Sequence, residues 1–273
     1  MTQLRFFRAA SLLAALLFFA AAAHAKTVLV TGSSRSHGLA FVSDYAERGW
    51  TVIATTRTPS EAVELNELAA RSPGRIFVEE LDVTDFAEVD ALAEKYEGTP
   101  IDVLNLNGAI NTFRVGLNEF GETDYAWLEQ VLRTNIIGQL YTAEAFLEHV
   151  AASEQKTIAV MSAVGGSITN VNSSTAPSYR ASKAGLNMLM RTYGEAVKDR
   201  GVIVAIIAPG TIDTKRNMEV EDLSALTGRE RRLVTANAYA PRAAIGAMID
   251  MIDRLTIADI DKFHKWDGTV LPW

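Results

Sequence analysis

From residue 27 onward, short runs of β-branched and apolar residues alternate with longer stretches in which apolar positions recur at helical spacing. The short runs suit strands of a parallel sheet covered by helices on both faces, and the gaps between them are long enough for helical crossovers. Strands are expected at residues 27–30, 51–55, 76–81, 101–106, 157–161 and 202–208, with a short last one at 263–266. The pattern predicts an α/β fold: one doubly wound, parallel, seven-stranded sheet in a single domain.

Several of the intervening stretches carry helix signals. Thr58-Pro59-Ser60-Glu61 has the form of a capping box, with Pro at the first helical position and Glu at the third. Thr84 is placed to cap the next helix. Stretches 125–150 and 178–200 are long enough to cross the whole sheet, and Gly49 and Gly201 fall where helices end and strands begin. Residues 212–240 break the pattern, being rich in charge and poor in apolar spacing. Either a flexible segment over a substrate cleft or a solvated surface excursion has that form.

Composition adds mainly exclusions. The chain has 273 residues, 48% hydrophobic and 22% charged, the balance of an ordinary globular enzyme. With no cysteine, disulfide scaffolds, zinc fingers and thiol nucleophiles are excluded. His24, His37, His149 and His264 are scattered without metal-ligand spacing, so no metal site is expected.

The first 25 residues read as an export signal peptide. Arg5 and Arg8 precede an apolar run from Ala9 to Ala23, and Ala23-His24-Ala25 is a cleavage box. Cleavage after Ala25 leaves a domain of 248 residues, 26–273, and shifts the net charge from −7 to −9. So acidic a chain is not expected to bind nucleic acid. The protein is expected to be exported, to a periplasm, without membrane contact unless the leader stays uncleaved as an anchor.

Chemistry first appears where the first strand meets its helix, at Thr31-Gly32-Ser33-Ser34-Arg35-Ser36-His37-Gly38. A glycine-containing turn there brings backbone amides and a helix amino terminus close to a pyrophosphate. At the end of the second strand, where a dinucleotide fold that prefers NAD offers an acid to the ribose, the chain has Thr56-Arg57. Arg57 and Arg35 can pair with a 2′-phosphate, which favours NADP(H) over NAD(H). Further on, Tyr179 and Lys183 lie one turn apart on one helix face. A nearby cation favours the phenolate of a group that normally ionises near pH ~10, so the pair can serve in acid–base catalysis.

Taken in order, these motifs resemble the short-chain dehydrogenase/reductase family in its compact, single-domain, Rossmann-type form. The turn resembles T-G-x-x-x-G-x-G, and Asp82-Val83 resembles the D-V of the adenine pocket. Leu106-Asn107-Gly108-Ala109 stands where N-N-A-G is usual, and Asn135 lies in a segment similar to that of the active-site Asn. Tyr179 and Lys183 match Y-x-x-x-K, and Pro209-Gly210-Thr211-Ile212-Asp213-Thr214 matches the stretch that contacts the nicotinamide half. Gly166-Ser167-Ile168, Tyr179-Arg180 and the ending from Trp266 to Trp273 are similar to C-factor and sniffer-type carbonyl reductases.

The resemblance implies hydride transfer between NADP(H) and a small-molecule carbonyl or alcohol, with Tyr179 as proton donor or acceptor. Lys183 is implied to lower the Tyr179 pKa and bind the nicotinamide ribose, and Asn135 to hold a water linking Lys183 to solvent. A homo-oligomer is implied as well. Residues 111–124, 167–178 and 212–240 are expected to build the substrate pocket, and their spacing names no substrate.

Three departures stand out. Ser36 replaces the second glycine of the turn and His37 an aliphatic residue; Leu106 replaces the first Asn of N-N-A-G, with Gly108-Ala109 reversed; and Ala163 falls where the serine that polarises the substrate carbonyl is usual. Ser162, next to it, takes that role only if the strand ends early or bulges, and Ser167 is another candidate. The departures keep a second expectation open: an exported dinucleotide-binding or partner-binding protein of the same fold with weak or no catalysis.

Overall fold

The computed structural model describes residues 25–110, 120–172, 174–210 and 241–273. Most of the expected leader lies outside the described residues, as do the pocket positions within 111–119 and 211–240. Among the described residues eight strands form one sheet: β1 (Thr27–Val30), β2 (Thr51–Thr56), β3 (Ile76–Glu80), β4 (Val103–Leu106), β5 (Thr157–Met161), β6 (Ile203–Ala208), β7 (Phe263–Lys265) and β8 (Val270–Leu271). Their order is β3-β2-β1-β4-β5-β6-β7-β8, parallel from β3 through β7. β1 pairs with both β2 and β4, so the chain reverses its winding there and opens a crevice at the strand ends.

Both faces of the sheet are apolar because both are covered. Val28, Val30, Val52 and Val103 pack against α1 (Ser36–Glu47), α2 (Val63–Arg71) and, later in the chain, α8 (Pro241–Ile252). Leu29, Ile53, Leu104, Ile158 and Val160 pack against α3 (Phe86–Lys95), α5 (Gly138–Ala145), α6 (Leu147–Ala151) and α7 (Pro177–Val197). Gly49 and Gly201 end their helical segments with φ of 86° and 75°, a backbone that costs glycine nothing.

Several local expectations need correction. The sheet has eight strands instead of seven, because Asp267-Gly268 turns the chain after β7 and β8 returns antiparallel to it. Asp-Gly was the available hairpin signal. Thr58 makes no capping hydrogen bond; Pro59–Glu61 form a separate 3-10 turn and α2 begins only at Val63. Thr84 gives its hydroxyl to Asp82, while Asp85 caps α3 by accepting from Ala87 N and Glu88 N. The single helix expected over 125–150 is divided into α4 (Tyr125–Leu132), a π turn (Arg133–Ile137), α5 and α6.

At the amino-terminal edge, buried Asp102 accepts from the Thr27 amide at 2.9 Å, tying the start of β1 to β4. Asp102→Ala leaves that buried donor unpaired and is expected to cost about 1–3 kcal/mol in urea unfolding, with Asp102→Asn costing less.

Candidate active site

The crevice floor is made by two loops that clamp each other. Gly108 N donates to Thr31 Oγ1 at 2.8 Å, and Asn107 Nδ2 donates to Thr31 O at 2.9 Å and Gly32 O at 3.2 Å. Gln139 Nε2 in turn holds Gly108 O at 2.6 Å. A side chain on Gly32, whose φ is 67°, would sit 2.8 Å from Gly108 Cα, and one on Gly38 would collide with Gly32 O. Glycine is therefore required at both places by close backbone approach. Ser33 is consumed locally, its hydroxyl donating to Val30 O.

No side chain caps α1, whose cap position is Arg35. The first-turn amides of Ser36, His37 and Gly38 thus have no intrahelical acceptor, and Ser34 and exposed Gly32 stand beside them. An uncapped amino terminus behind a glycine cradle fits an anionic diphosphate. Ser36 has φ of 58°, so a left-handed backbone is kept here without glycine, a strain of order 1 kcal/mol. Arg35 and Arg57 are exposed, and neither makes an ion pair among the described residues.

At the Asp82-Val83 pair, Asp82 Oδ1 accepts from both Thr84 N and Thr84 Oγ1, and Asp82 N donates to Glu88. Val83 is buried, and Gly138 allows α5 to approach Val83 O where a Cβ would stand only 2.6 Å away. An open cavity of about 630 Å³ adjoins Asp82, Phe86 and Arg133; Tyr179 and Lys183 are not part of its lining. Ala109 is exposed after the clamp, and Pro209 and Gly210 follow β6 with Gly210 at φ 73°. Thr211, Ile212 and Thr214 lie outside the described residues.

Tyr179 sits in the first turn of α7, half-buried, and Lys183 one turn later is 2% exposed. Lys183 Nζ donates to Met161 O at 2.7 Å and lies 5.8 Å from the Tyr179 ring centroid. Burial pushes the phenol up to about 12 and the ammonium down to about 8. Burial alone accounts for the Tyr179 shift, which runs opposite to the lowering expected from Lys183.

Asn135 occupies the π turn and is fully buried. Its Oδ1 accepts from Ile110 N at 2.7 Å; its Nδ2 donates to Ile110 O and Ser182 Oγ, both at 3.0 Å. Ser182 Oγ then donates to Tyr179 O at 2.8 Å. Asn135 thus ties the loop after β4 to the helical turn that carries Tyr179, and a local π turn is what aims its side chain inward.

Ser162 does not stand in for the missing serine. Its amide still donates to Ile207 O, so β5 neither ends early nor bulges, and its buried hydroxyl donates to Asn187 Oδ1 at 2.5 Å. Ser167 is committed too, donating to Pro272 O at 2.7 Å. Thr169 N and Oγ1 both donate to Trp273 O, so the loop after β5 is strapped by the end of the chain. Sequence reasoning quoted Thr31 only as the first residue of the glycine turn and missed Gln139, Ser182 and Asn187. Helical spacing carried a signal for two of them: Gln139 follows Asn135 by four residues, and Asn187 follows Lys183 by four.

Comparison with known proteins agrees with this geometry. Residues 26–224 match the short chain dehydrogenase family. An uncharacterised oxidoreductase of Schizosaccharomyces pombe is 28% identical over 252 residues, covering 90% of this chain and 96% of its own. The NADPH-bound carbonyl reductase from chicken fatty liver superposes with a TM-score of 0.77 at 28% identity, covering 92% of this chain and 100% of that one. The carbonyl reductase Sniffer of D. melanogaster shares the fold, with a TM-score of 0.74 at 22% identity, covering 92% of this chain and 100% of that one. The chain belongs to the short-chain dehydrogenase family, and its fold and crevice are those of an oxidoreductase of that family.

An unfolded chain keeps the Lys183 proton to the ordinary 10.5, whereas the folded protein releases it near 8. The unfolded state binds more protons between those values, so stability rises with pH across that window. Urea midpoints are expected to show this rise in the wild type and not in Lys183→Met.

Proposed function

We propose that the protein is an NADP(H)-dependent carbonyl reductase working on small aldehydes or ketones, with the reverse alcohol oxidation available when substrate ratios demand it. The observation that carries the reading is the Tyr179–Lys183 pair: a phenol that keeps its proton beside an ammonium sealed under α7. The bound dinucleotide supplies or accepts the hydride. Everything else falls to the chain's own groups. Gly32, Ser34, Ser36, His37 and Gly38 receive the diphosphate, with Asn107, Gly108 and Ala109 across the crevice. Asp82 and Val83 border the adenine, and Arg35 and Arg57 take the 2′-phosphate. Pro209, Gly210, Thr211, Ile212 and Thr214 are assigned to the nicotinamide half.

As the carbonyl carbon is reduced, its oxygen becomes an alkoxide far more basic than phenol, and Tyr179 O–H is the acid that protonates it. The phenolate left behind is stabilised by the Lys183 ammonium, which Met161 O holds in place. Asn135 keeps the Tyr179 turn and the loop at Ile110 in register. A protonated resting Tyr179 suits reduction, the direction that begins with proton donation. The NADPH-bound chicken carbonyl reductase supports both the cofactor and the substrate class.

With Ala163 at the polarising position and Ser162 bonded to Asn187, the loop supplies one donor fewer than the family pattern, at a cost of about 100-fold to 1000-fold in rate. Export by residues 1–25 remains part of the proposal, supported by the arginines, apolar run and cleavage box of the leader.

Oxidation of NADPH by purified protein, followed at the nicotinamide absorbance with a panel of aldehydes and ketones, tests the activity. Turnover that disappears in Tyr179→Phe is expected; none above that variant on a broad panel overturns the reading. Ala163→Ser is expected to raise kcat about tenfold or more, whereas Ser162→Ala changes it little. Arg57→Glu is expected to weaken NADPH by about tenfold while leaving NADH binding nearly unchanged, in fluorescence titrations.

A further inference from the structure

The turn after β5, Val164–Gly166, lies directly against the helical turn that carries the acid. A Cβ on Gly165 would stand 3.5 Å from Arg180 Cγ, and one on Gly166 would stand 3.0 Å from Lys183 Cβ. Asn187, one turn beyond Lys183, bonds both Ser162 Oγ and Gly166 O, so this first part of the loop is fixed to α7 itself.

The next residues are fixed from far along the chain. Ser167 Oγ donates to Pro272 O at 2.7 Å, and Thr169 donates to Trp273 O through its amide at 2.9 Å and its hydroxyl at 2.6 Å. These partners are 105 and 104 residues apart, so no local preference of the loop accounts for its course. Trp273 is itself seated on the frame of the site. Its ring stacks on fully buried Phe263 of β7 with centroids 5.4 Å apart, and the Arg191 guanidinium of α7 lies 5.3 Å from its centroid. Contacts of both kinds hold a ring more firmly than its buried area alone.

Between the two tied residues stands Ile168, 74% exposed. Val164 and Val171, on the same loop, are exposed as well. A loop free to move would turn such side chains away from water, whereas the bonds on either side of Ile168 hold it out. We propose that this loop is the wall against which the apolar substituent of the carbonyl substrate packs, with Ile168 as a specificity-determining residue and Trp273 as the residue that positions it. The inference rests on the carbonyl reduction read above and names its substrate class: carbonyl compounds bearing an apolar chain or ring. A loop already fixed in the free protein spares the substrate the cost of ordering it. The strap shares no residue with the dinucleotide cradle, so its effect falls on substrate affinity.

Hydrogen exchange of the full chain without ligand tests the strap: Trp273→Ala is expected to speed exchange across residues 163–172 about tenfold, and Trp273→Phe, which keeps a ring on Phe263, to restore most of the protection. Unchanged exchange in Trp273→Ala would overturn the positioning role. Steady-state kinetics with hexanal and acetaldehyde test the wall. Wild type is expected to prefer hexanal, and Ile168→Ser, a change at an exposed site, to raise KM for hexanal about fivefold while moving that for acetaldehyde less than about twofold. Trp273→Ala is expected to raise the hexanal KM as well, with kcat and the NADPH Kd within about twofold of wild type. A lowered melting temperature with unchanged KM would make Trp273 a packing residue only and overturn its assignment. Wild type that reduces members of a broad carbonyl panel without preferring hexanal to acetaldehyde would overturn the apolar wall, and wild type that reduces none of the panel would overturn the activity assignment itself.

Discussion

Where β1 and β4 end side by side, their last carbonyls and amides pass beyond the reach of any neighbouring strand, and buried backbone groups must still be paired. The rest of the site depends on how that demand is met. Thr31 Oγ1 takes the Gly108 amide, Asn107 takes the Thr31 and Gly32 carbonyls, Gln139 takes Gly108 O, and Asn135 takes both backbone groups of Ile110. Each of these side chains closes a backbone hydrogen bond that the sheet cannot. Together they hold open a crevice between two loops that would otherwise collapse onto one another or onto water.

Asn135 extends the same network to the chemistry. Through Ser182 it reaches the carbonyl of Tyr179, so the loop that borders the crevice and the turn that bears Tyr179 are joined by hydrogen bonds. The electrostatics follow from how deeply α7 is packed. Lys183 is buried against the end of β5 with the Met161 carbonyl as its partner, and burial raises the Tyr179 pKa. The free protein therefore presents an acid.

Much of the fold was legible along the chain. Strand positions could be read because each central strand is an apolar run bounded by polar or glycine-rich turns, and the observed limits differ from the expected ones by no more than two residues at either end. Helix caps were less legible. Thr58 and Asp85 both follow capping rules, yet only Asp85 bonds to its helix. A cap depends on the entry angle of the chain, which packing sets. The division of 125–150 was hidden for a related reason: nothing in the helical period marks the π turn, whose extra residue serves to bring the Asn135 side chain to Ile110 and Ser182.

The sequence by itself determined which groups are available: a glycine turn, a Tyr-Lys pair one helical turn apart, an Asn, Arg57 and no acid at the end of the second strand, and no serine at residue 163. These are covalent facts, and local spacing is enough to place each on its element. Tertiary structure alone decided their states. It gave the Ser162 proton to Asn187 and the Lys183 ammonium to Met161, and it kept the Tyr179 proton in place. Those outcomes turn on burial and on partners 22 or 25 residues away in the chain, quantities that come into being only when β5 and α7 pack together.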